Sequence, residues 1–489
     1  MTESNRIIKK PSLVDALIPV IVLITMLAGT VYVFGLDSFG PNQVALILAA
    51  AVAAVIGIKN GLTWNEIEKG MIETISMSLQ ALLILLMVGS LIGSWILSGT
   101  VPTMIYYGVA LMSPDYFYLT ACLVCALLGF SIGSSWTVAG TLGVGLMGIA
   151  AALDLSPAIS AGAIISGAYF GDKLSPLSET TNLAAAVTSN DLFDHIQHML
   201  WTTIPSILIT LSVFFFMGIG SGSNVVIDDI IALQNAMDQA FTIHPIMLAP
   251  LVLLLVMAVK KLPALSTLIC GTVAGCAFAA IFQWDAVIAL ADDANLSAAA
   301  AGFKGVFSAM FLGYSSATGN ESLDALLSKG GMSSMLTTIG LVINAMAFGG
   351  AMARTGLLAR LVEAALSRVR SAGGLIAATV GTCIGTNILA ADQYLSIVIP
   401  GQMFVEPYKD RNLKSINLSR TLEDSGTLTS ALVPWNTCGA YMSATLGVST
   451  FYYAPFAFFN ILCPIIAIIY GYLLIAVPSI DEPVNSRAD

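Results

Sequence analysis

Residues 171–190, GDKLSPLSETTNLAAAVTSN, are polar, although the sequence on both sides of them is strongly apolar. Gly-rich apolar sequence precedes them at 157–170, and another apolar block follows at 199–217. The stretch holds three charged side chains, one proline and eight serine, threonine or asparagine residues. Where the flanking blocks cross a membrane, irregular polar backbone between them survives only if it is buried in protein or lines a wet cavity. The stretch therefore predicts a polar site at membrane depth.

The composition of the whole chain is that of an integral membrane protein. Of the 489 residues, 57% are hydrophobic and 10% are charged, whereas a soluble domain carries about 25% charged residues. Apolar blocks of about 20 residues recur, and each is long enough to cross a hydrocarbon core of about 30 Å. They lack the alternation of outer-membrane strands, so the predicted fold is an all-α polytopic membrane protein in a lipid bilayer. The net charge of −10 comes without a basic patch, which argues against nucleic acid as a partner.

Ten spanning segments and two interrupted apolar pairs are predicted. The spanning segments are 14–35, 42–58, 74–98, 157–189, 199–219, 244–259, 262–283, 331–353, 417–447 and 451–478. The pairs are 116–133/136–153 and 371–386/388–403, and we interpret them as re-entrant helical hairpins. Their polar tips contain Ser134 and Ser135 in the first pair, and Thr386 and Asn387 in the second. The arms are long enough that full spanning stays an alternative.

The distribution of lysine and arginine orients these segments through the positive-inside rule. Lysine and arginine precede the first span, follow the second, separate the sixth from the seventh, follow the eighth and precede the ninth. The segments 36–41, 99–115 and 220–243 contain neither residue. Both termini are therefore predicted to lie in the cytoplasm, with the protein in the inner (cytoplasmic) membrane.

The resulting order of elements is the same in both halves, but the second half is upside down. Each half is predicted to contain about five transmembrane helices, a re-entrant hairpin and a helix broken near the midplane. The predicted parts are a cytoplasmic N-terminus at 1–13, a first inverted repeat at 14–219, an extracytoplasmic linker at 220–243, a second inverted repeat at 244–478 and a cytoplasmic tail at 479–489. Inverted repeats of this kind are the plan of secondary transporters, whose substrates bind at the breaks.

Four polar breaks fall at membrane depth in this arrangement, namely Gly133–Thr137, Gly171–Asn182, Gly385–Asp392 and Glu423–Asn436. Each break ends two half-helices, which leaves N–H groups free on one side and carbonyl oxygens on the other. Carbonyl, hydroxyl and amide oxygens are hard ligands for alkali cations, while helix N-termini favour anions. The breaks therefore predict coordination of small ions. For the polar hairpin tips, simple capping of the half-helices is the alternative role.

Carboxylates in these breaks indicate which ion is expected. Asp172 and Glu179 lie in the first broken helix, Asp392 in the second hairpin and Asp424 in the second broken helix. A carboxylate at the centre of a span costs about 2.5–3.5 kcal/mol on insertion scales, so its presence indicates function. Burial favours the protonated form of a carboxyl group, which can then exchange its proton for a cation. These acids therefore predict a site where a proton and a cation compete.

A buried structural ion pair is the alternative role for these acids, with Lys173 neutralising Asp172 or Glu179. Glu423 is expected nearer the cytoplasmic mouth, in a structural role. Residues 284–330 are expected to form a long loop with an amphipathic part at Ser297–Gly313, and no function follows from their sequence.

The stretch GDKLSPLSETTNLA at 171–184 closely resembles the signature of the NhaC-type sodium/proton antiporters. Similar stretches are GLTWNEIEKGM at 61–71, SIGSSWTVAGTLG at 131–143, CIGTNILAADQY at 383–394 and LEDSGTLTSALVPWNTCGAYM at 422–442. The resemblance implies exchange of Na⁺ (or Li⁺) for H⁺, with no cofactor besides the transported ions, on a domain that slides like an elevator. Carried over residue by residue, it implies an ion site formed by Asp172, Ser175, Ser178, Glu179, Thr180, Asn182, Asn387, Asp392, Asp424, Thr427 and Asn436.

The same family includes exchangers of malate for lactate, so an organic-anion exchanger is the second hypothesis. In such a protein the hairpin N-termini would bind a substrate carboxylate, and Na⁺ would occupy an adjacent cage of oxygens. An intramembrane enzyme is the third class, but the chain has no HExxH motif and only three histidines, so we expect no enzyme. The sequence does not decide the oligomeric state, and a homodimer is among the open alternatives.

Overall fold

The computed structural model describes residues 8–34, 39–221, 227–260, 262–293, 295–367, 369 and 371–481. Across these residues the regular secondary structure is helical, and an isolated bridge joins Leu413 to Ser479. Nine described helices are long and apolar enough to cross a membrane, or eleven if each of two bent helix pairs counts as one span. The prediction of an all-α polytopic protein is confirmed. Parts of the predicted segments 1–13, 220–243 and 479–489 lie outside the described residues.

The first half of the chain forms eleven helices among the described residues. They are α1 Leu13–Phe34, α2 Phe39–Lys59, α3 Trp64–Met77, α4 Leu79–Leu97, α5 Thr100–Leu111, α6 Phe117–Ile132, α7 Ser135–Val138, α8 Val144–Ala152, α9 Pro157–Leu174, α10 Glu179–Val187 and α11 Leu192–Gly218. A π-helical turn, Ala139–Gly143, joins α7 to α8.

The second half forms fifteen helices among the described residues. They are α12 Ile227–Ala240, α13 Ala249–Val259, α14 Ala264–Phe282, α15 Trp284–Ala291, α16 Ala298–Phe311, α17 Glu321–Leu327, α18 Leu336–Arg354, α19 Leu357–Leu366, α20 Ala372–Leu389, α21 Gln393–Lys409, α22 Ser415–Leu422, α23 Leu428–Ser430, α24 Thr437–Leu446, α25 Thr450–Tyr453 and α26 Phe458–Leu473. A second π-helical turn, Glu423–Thr427, joins α22 to α23.

The first apolar pair turns where the sequence predicted, between α6 and α7. Gly133 ends α6 with a φ of +73°, and a Cβ at this position would lie 2.7 Å from the backbone carbon of Leu177, so the turn requires glycine. Ser134 follows in an extended conformation, and its hydroxyl accepts a hydrogen bond from the N–H of Thr137 at 3.2 Å. This is an ordinary N-cap. Both arms are long and apolar enough to span, so re-entrant insertion of the pair stays a prediction.

The second apolar pair breaks later than predicted. The predicted tip at 385–387 lies inside the last turn of α20, where the Thr386 hydroxyl donates to the carbonyl of Thr382 at 2.9 Å. The actual break is at 390–392, where Ala391 has a φ of +56°. Asp392 then caps α21, because its Oδ1 accepts from the N–H of Leu395 at 3.0 Å. An aspartate cap stabilises the new helix start, whereas the first helix runs on through 385–387 to Leu389.

The two broken helices differ in where they break. The first breaks at 175–178, between α9 and α10, as the proline at 176 predicted. The second was predicted to break over Glu423–Asn436, but Glu423–Thr427 stays helical as a wide π turn and the irregular part is 431–436. Asp424 therefore lies inside a helix rather than at its end. The irregular part contains Pro434 and ends at Asn436, whose side chain caps α24.

Helices from both halves of the chain pack together in two groups. In one group α6 packs on α9, α11 packs on α26, and α20 packs on α21 and α26. In the other group α18 packs on α2 and α3, and α4 packs on α14 and α16. Each group mixes helices from before and after the linker at 220–243, so the two halves are interleaved in space. The inversion that would relate them stays a prediction.

Two segments that lie outside the predicted spans contain helices. The segment 99–115 contains α5, which packs against α8 and has several fully buried residues. The segment 284–330 contains α15, α16 and α17. The expected amphipathic part is α16, which begins after its cap Ser297 and packs against α4 and α15. These short helices add to the packing of the second group.

Candidate functional site

A cavity of about 420 Å³ lies where the first hairpin tip, the first broken helix and the start of α21 meet. Apolar side chains of α4 and α14 close its other sides. It brings together seven of the residues that the sequence singled out, namely Ser134, Ser135, Asp172, Ser178, Glu179, Thr180 and Asp392. Seven others do not line it, namely Ser175, Asn182, Thr386, Asn387, Asp424, Thr427 and Asn436.

Asp172 lies in the last turn of α9 and is held by the first hairpin. The N–H of Ser135, at the start of α7, donates to its Oδ2 at 2.9 Å. The side chain is almost fully buried, yet it borders the cavity. A helix start beside a carboxylate stabilises negative charge, so the hairpin tip is matched to this acid.

Glu179 starts α10 and is exposed to the cavity. The hydroxyl of Tyr394, in the first turn of α21, donates to its Oε2 at 2.6 Å. This bond joins the first broken helix to the second hairpin, which come from opposite halves of the chain. Sequence reasoning did not single out Tyr394, because a tyrosine near a helix start gives no signal of its own.

Asp392 completes the set of cavity carboxylates. It is 4% exposed, and its Oδ1 is used to cap α21 while the residue borders the cavity. Gln393 and Thr437 lie beside it on the cavity wall. In the second hairpin the helix after the break is thus capped by the carboxylate of Asp392, and not by Thr386 or Asn387 at the predicted tip.

Asp424 forms a buried ion pair with Lys173, and both side chains are 0% exposed. The hydroxyl of Thr202 and the thiol of Cys463 also donate to its Oδ1, at 3.0 and 3.2 Å. The alternative in which Lys173 neutralises Asp172 or Glu179 is wrong, since its partner comes from the second broken helix. The fold brings the two charges together across 251 positions of sequence.

Glu423 is fully buried. Its position nearer the cytoplasmic mouth stays a prediction. The hydroxyl of Thr180 donates to the Oε1 of Glu423 at 2.9 Å, and the hydroxyl of Thr427 also interacts with this carboxylate. Thr180 also lies 3.1 Å from the hydroxyl of Ser178, so hydroxyl groups connect the cavity to Glu423. One feature of the sequence could have identified Glu423 as a site residue. It is an acid directly beside Asp424, on a predicted span with few basic residues.

Most of the remaining predicted ligands use their side chains in hydrogen bonds within the protein. Asn387 donates to the carbonyl of Gly426 at 2.7 Å, and Asn436 donates to the side-chain oxygen of Asn387 at 3.0 Å. Asn182 donates to the carbonyl of Ser178 at 2.7 Å, and the Ser175 hydroxyl accepts from the N–H of Leu177 at 3.3 Å. These contacts hold the broken helices in shape. The Thr427 hydroxyl interacts with the carboxylate of Glu423.

The side chains that line the cavity offer mainly oxygen atoms as polar groups. Among the described residues, no group of three or more histidine, cysteine, aspartate or glutamate side chains is placed to hold a metal ion. Carboxylate and hydroxyl oxygens instead suit cations such as alkali ions. The stretch GFSIG at 129–133 matches the nucleophile pattern GxSxG, but Ser131 lies inside α6 and its hydroxyl donates to the carbonyl of Leu127 at 2.9 Å. It therefore lacks the exposed strand-to-helix turn that this motif requires.

Comparisons with known proteins identify the family. The model of the Na⁺/H⁺ antiporter family matches residues 167–474. The chain is 39% identical to the Na(+)/H(+) antiporter NhaC of Alkalihalophilus pseudofirmus, over 91% of this chain and 93% of that protein. It is 36% identical to the malate-2H(+)/Na(+)-lactate antiporter of Bacillus subtilis, over 88% and 89%, and 35% identical to the arginine/ornithine antiporter ArcD of Halobacterium salinarum, over 95% and 92%. These similarities cover nearly the whole chain, and the protein belongs to the NhaC-type Na⁺/H⁺ antiporter family.

Proposed function

We propose that this protein exchanges Na⁺ (or Li⁺) for H⁺ across the inner membrane by alternating access. One observation carries the proposal. The cavity wall holds three carboxylates, Asp172, Glu179 and Asp392, and its described lining contains no lysine, arginine or histidine. A concave site lined by charge of one sign concentrates ions of the opposite sign. The site therefore favours cations.

Competition between a proton and a cation for the same oxygens couples the two fluxes. A carboxylate removed from water is stabilised either by a proton or by a bound cation. The hydroxyls of Ser178 and Thr180 stand beside the acids and supply further oxygen ligands. Asn182, Asn387 and Asn436 act as positioning residues, because their side chains are used within the broken helices.

The alternative of an organic-anion exchanger has weaker support. That hypothesis places the substrate carboxylate at the hairpin N-termini. In this protein the N–H of Ser135 already donates to Asp172, and the start of α21 is capped by Asp392. A substrate anion would have to displace an acidic side chain from each helix start.

Alternating access fits the packing of the helices. The group that holds the hairpins and broken helices contacts a second group containing α4, α14 and α18. The cavity lies between them and borders Ala258, Leu262, Pro263 and Ala264, at the connection that the positive-inside rule places in the cytoplasm. Elevator-like sliding of the first group against the second would carry the site across, with both termini remaining cytoplasmic.

Proton flux in vesicles tests the proposal. Purified protein is reconstituted, and internal pH is followed as Na⁺, Li⁺, K⁺, malate or lactate is added in turn. We expect flux with Na⁺ and Li⁺, and none with the organic anions alone. Asp172→Asn should abolish Na⁺-driven flux, while the control Glu68→Gln, on α3 outside the cavity, should not. Flux that requires malate or lactate would overturn the proposal.

A further inference from the structure

Two aromatic side chains from opposite halves of the chain meet at the cavity wall. Trp136 lies in α7, at the tip of the first hairpin, and Tyr441 lies in α24, and both border the cavity. Their rings are stacked, with centroids 4.1 Å apart and an angle of 12° between the ring planes. The Tyr441 hydroxyl also donates to the backbone carbonyl of Trp136 at 2.8 Å. Two contacts of different kinds thus join α24 to the hairpin tip.

The backbone beside this pair leaves room for the tyrosine hydroxyl. Gly140 lies in the π-helical turn that follows α7, and a Cβ there would lie 2.6 Å from the hydroxyl oxygen of Tyr441. Any side chain at position 140 would therefore push Tyr441 away from the carbonyl of Trp136. Turns of this type are frequent at functional sites. The glycine, the carbonyl and the indole ring together fix where Tyr441 lies.

The hairpin tip that Tyr441 contacts is the one that holds Asp172. Ser135 directly precedes Trp136, and its N–H donates to the Oδ2 of Asp172 at 2.9 Å. Because neighbouring residues of a short helix move together, a shift of the Trp136 carbonyl would also shift this N–H. Tyr441 is therefore placed to control how firmly the carboxylate is held.

Helix α24 is itself fixed to the second hairpin. The N–H of Thr437, its first residue, donates to the carbonyl of Ala391 at 2.9 Å. Ala391 lies in the break of that hairpin and directly precedes Asp392, the other buried acid of the cavity. A continuous series of hydrogen bonds thus runs from the break of the second hairpin, through α24 and Tyr441, to the tip of the first.

We propose that Tyr441 is a positioning residue of the transport site, which holds the first hairpin tip so that the N–H of Ser135 stays on Asp172. This inference rests on the proposed Na⁺/H⁺ exchange and assigns Tyr441 a role that acts through Ser135. Without the bond from Tyr441 the carboxylate becomes more mobile, so it binds cations more weakly. A small ion needs more exact ligand geometry than a larger one, so binding of Li⁺ suffers more than binding of Na⁺.

The variant Tyr441→Phe tests this role, because it keeps the ring and removes the hydroxyl. We expect the Na⁺ concentration for half-maximal proton flux to rise about fivefold, as for the loss of one neutral hydrogen bond, while the maximal flux is retained. The corresponding Li⁺ concentration should rise further. Gly140→Ala should act in the same direction, because its Cβ displaces the same hydroxyl.

Tyr408→Phe is the matched control. Tyr408 is also buried, and its hydroxyl lies 3.1 Å from that of Thr379, in a separate apolar cluster away from the cavity lining. This variant should leave the half-maximal Na⁺ and Li⁺ concentrations unchanged. Thermal unfolding without Na⁺ reports any loss of stability in each protein.

The outcomes separate this inference from the proposed function. If the unmodified protein shows no Na⁺-driven flux, the proposed exchange itself fails. If it exchanges normally and Tyr441→Phe has the same half-maximal Na⁺ concentration as Tyr408→Phe, the positioning role is wrong. A lower thermal stability of Tyr441→Phe with unchanged Na⁺ dependence also overturns it, since the hydroxyl then serves only the fold. An equal rise for Na⁺ and Li⁺ would contradict the argument from ligand geometry.

Discussion

Replacing one member of the Lys173–Asp424 pair leaves a charge buried without its counter-charge. Both side chains are 0% exposed, so the remaining group cannot reach water. Removing one partner of a buried pair costs about 3–5 kcal/mol, whereas removing both costs far less. We therefore expect Lys173→Met to destabilise the protein by about 3–5 kcal/mol. Asp424→Asn should cost somewhat less than Lys173→Met, because Asn keeps an oxygen that Thr202 can still bond.

Chemical unfolding in detergent micelles measures these free energies, with tryptophan fluorescence as the signal. The double variant Lys173→Met/Asp424→Asn should cost at least about 2 kcal/mol less than the sum of the single variants, because neighbouring charges couple. Lys59→Met is the control, since its partner is Asp15 and the Lys59 side chain is 67% exposed. It should cost at most about 1 kcal/mol.

Two results would refute this reasoning. Single variants that cost no more than Lys59→Met would show that the pair carries little energy. Additive costs in the double variant would show that the two charges do not interact. The same proteins also separate two roles for Asp424. If the double variant keeps the Na⁺ dependence of proton flux, Asp424 is structural, and if it loses that dependence, Asp424 binds the ion as the family resemblance implied.

Three further predictions test other contacts. Tyr394→Phe removes the bond to Glu179 and should raise the Na⁺ concentration for half-maximal proton flux about tenfold, because a hydrogen bond to a charged group contributes about 1.5–3 kcal/mol. Gly385→Ala should leave the free energy of unfolding unchanged or raise it by up to about 1 kcal/mol, because this glycine is helical with open space around it. Chemical unfolding measures the change, and a loss of stability would instead support the turn predicted at 385–387. Hydrogen bonds from the N–H of Thr318 and neighbouring groups lower the pKa of Asp324 to about 2 from 3.8. The ionised acid should hold its loop at neutral pH and release it as the pH falls from about 4 to 2, so proteolysis of 313–330 by an acid protease should accelerate there and not in Asp324→Asn.

The sequence predicted the fold class, the first hairpin turn and the first helix break, because the signals there are local. The length of the apolar blocks predicted the helices, Pro176 predicted the first break, and Gly133 with Ser134 predicted the first hairpin turn. In each case one residue dictates the backbone conformation around it. The second hairpin was misplaced because Gly385 and Asn387 look like turn residues, while the cap that sets the break is the side chain of Asp392.

The ion pairs could not be predicted, because they depend on which helices meet. Lys173 lies beside Asp172 in the sequence, but successive residues of a helix point in different directions, and Lys173 faces Asp424 instead. The same is true of Glu423, whose contact with Thr180 joins two breaks that are 243 residues apart. Local patterns identify acids at membrane depth, but only the packed bundle shows which of them share a partner.

The order of synthesis gives the Lys173–Asp424 pair a consequence for biogenesis. Lys173 leaves the ribosome 251 residues before Asp424. If the predicted span 157–189 crosses the membrane, the nascent first half carries an ammonium group inside it until the second half is inserted, at a cost of about 2.5–3.5 kcal/mol. The early intermediate is therefore strained until the late helices arrive, and a truncated chain ending before residue 424 should be recognised and degraded by membrane quality control.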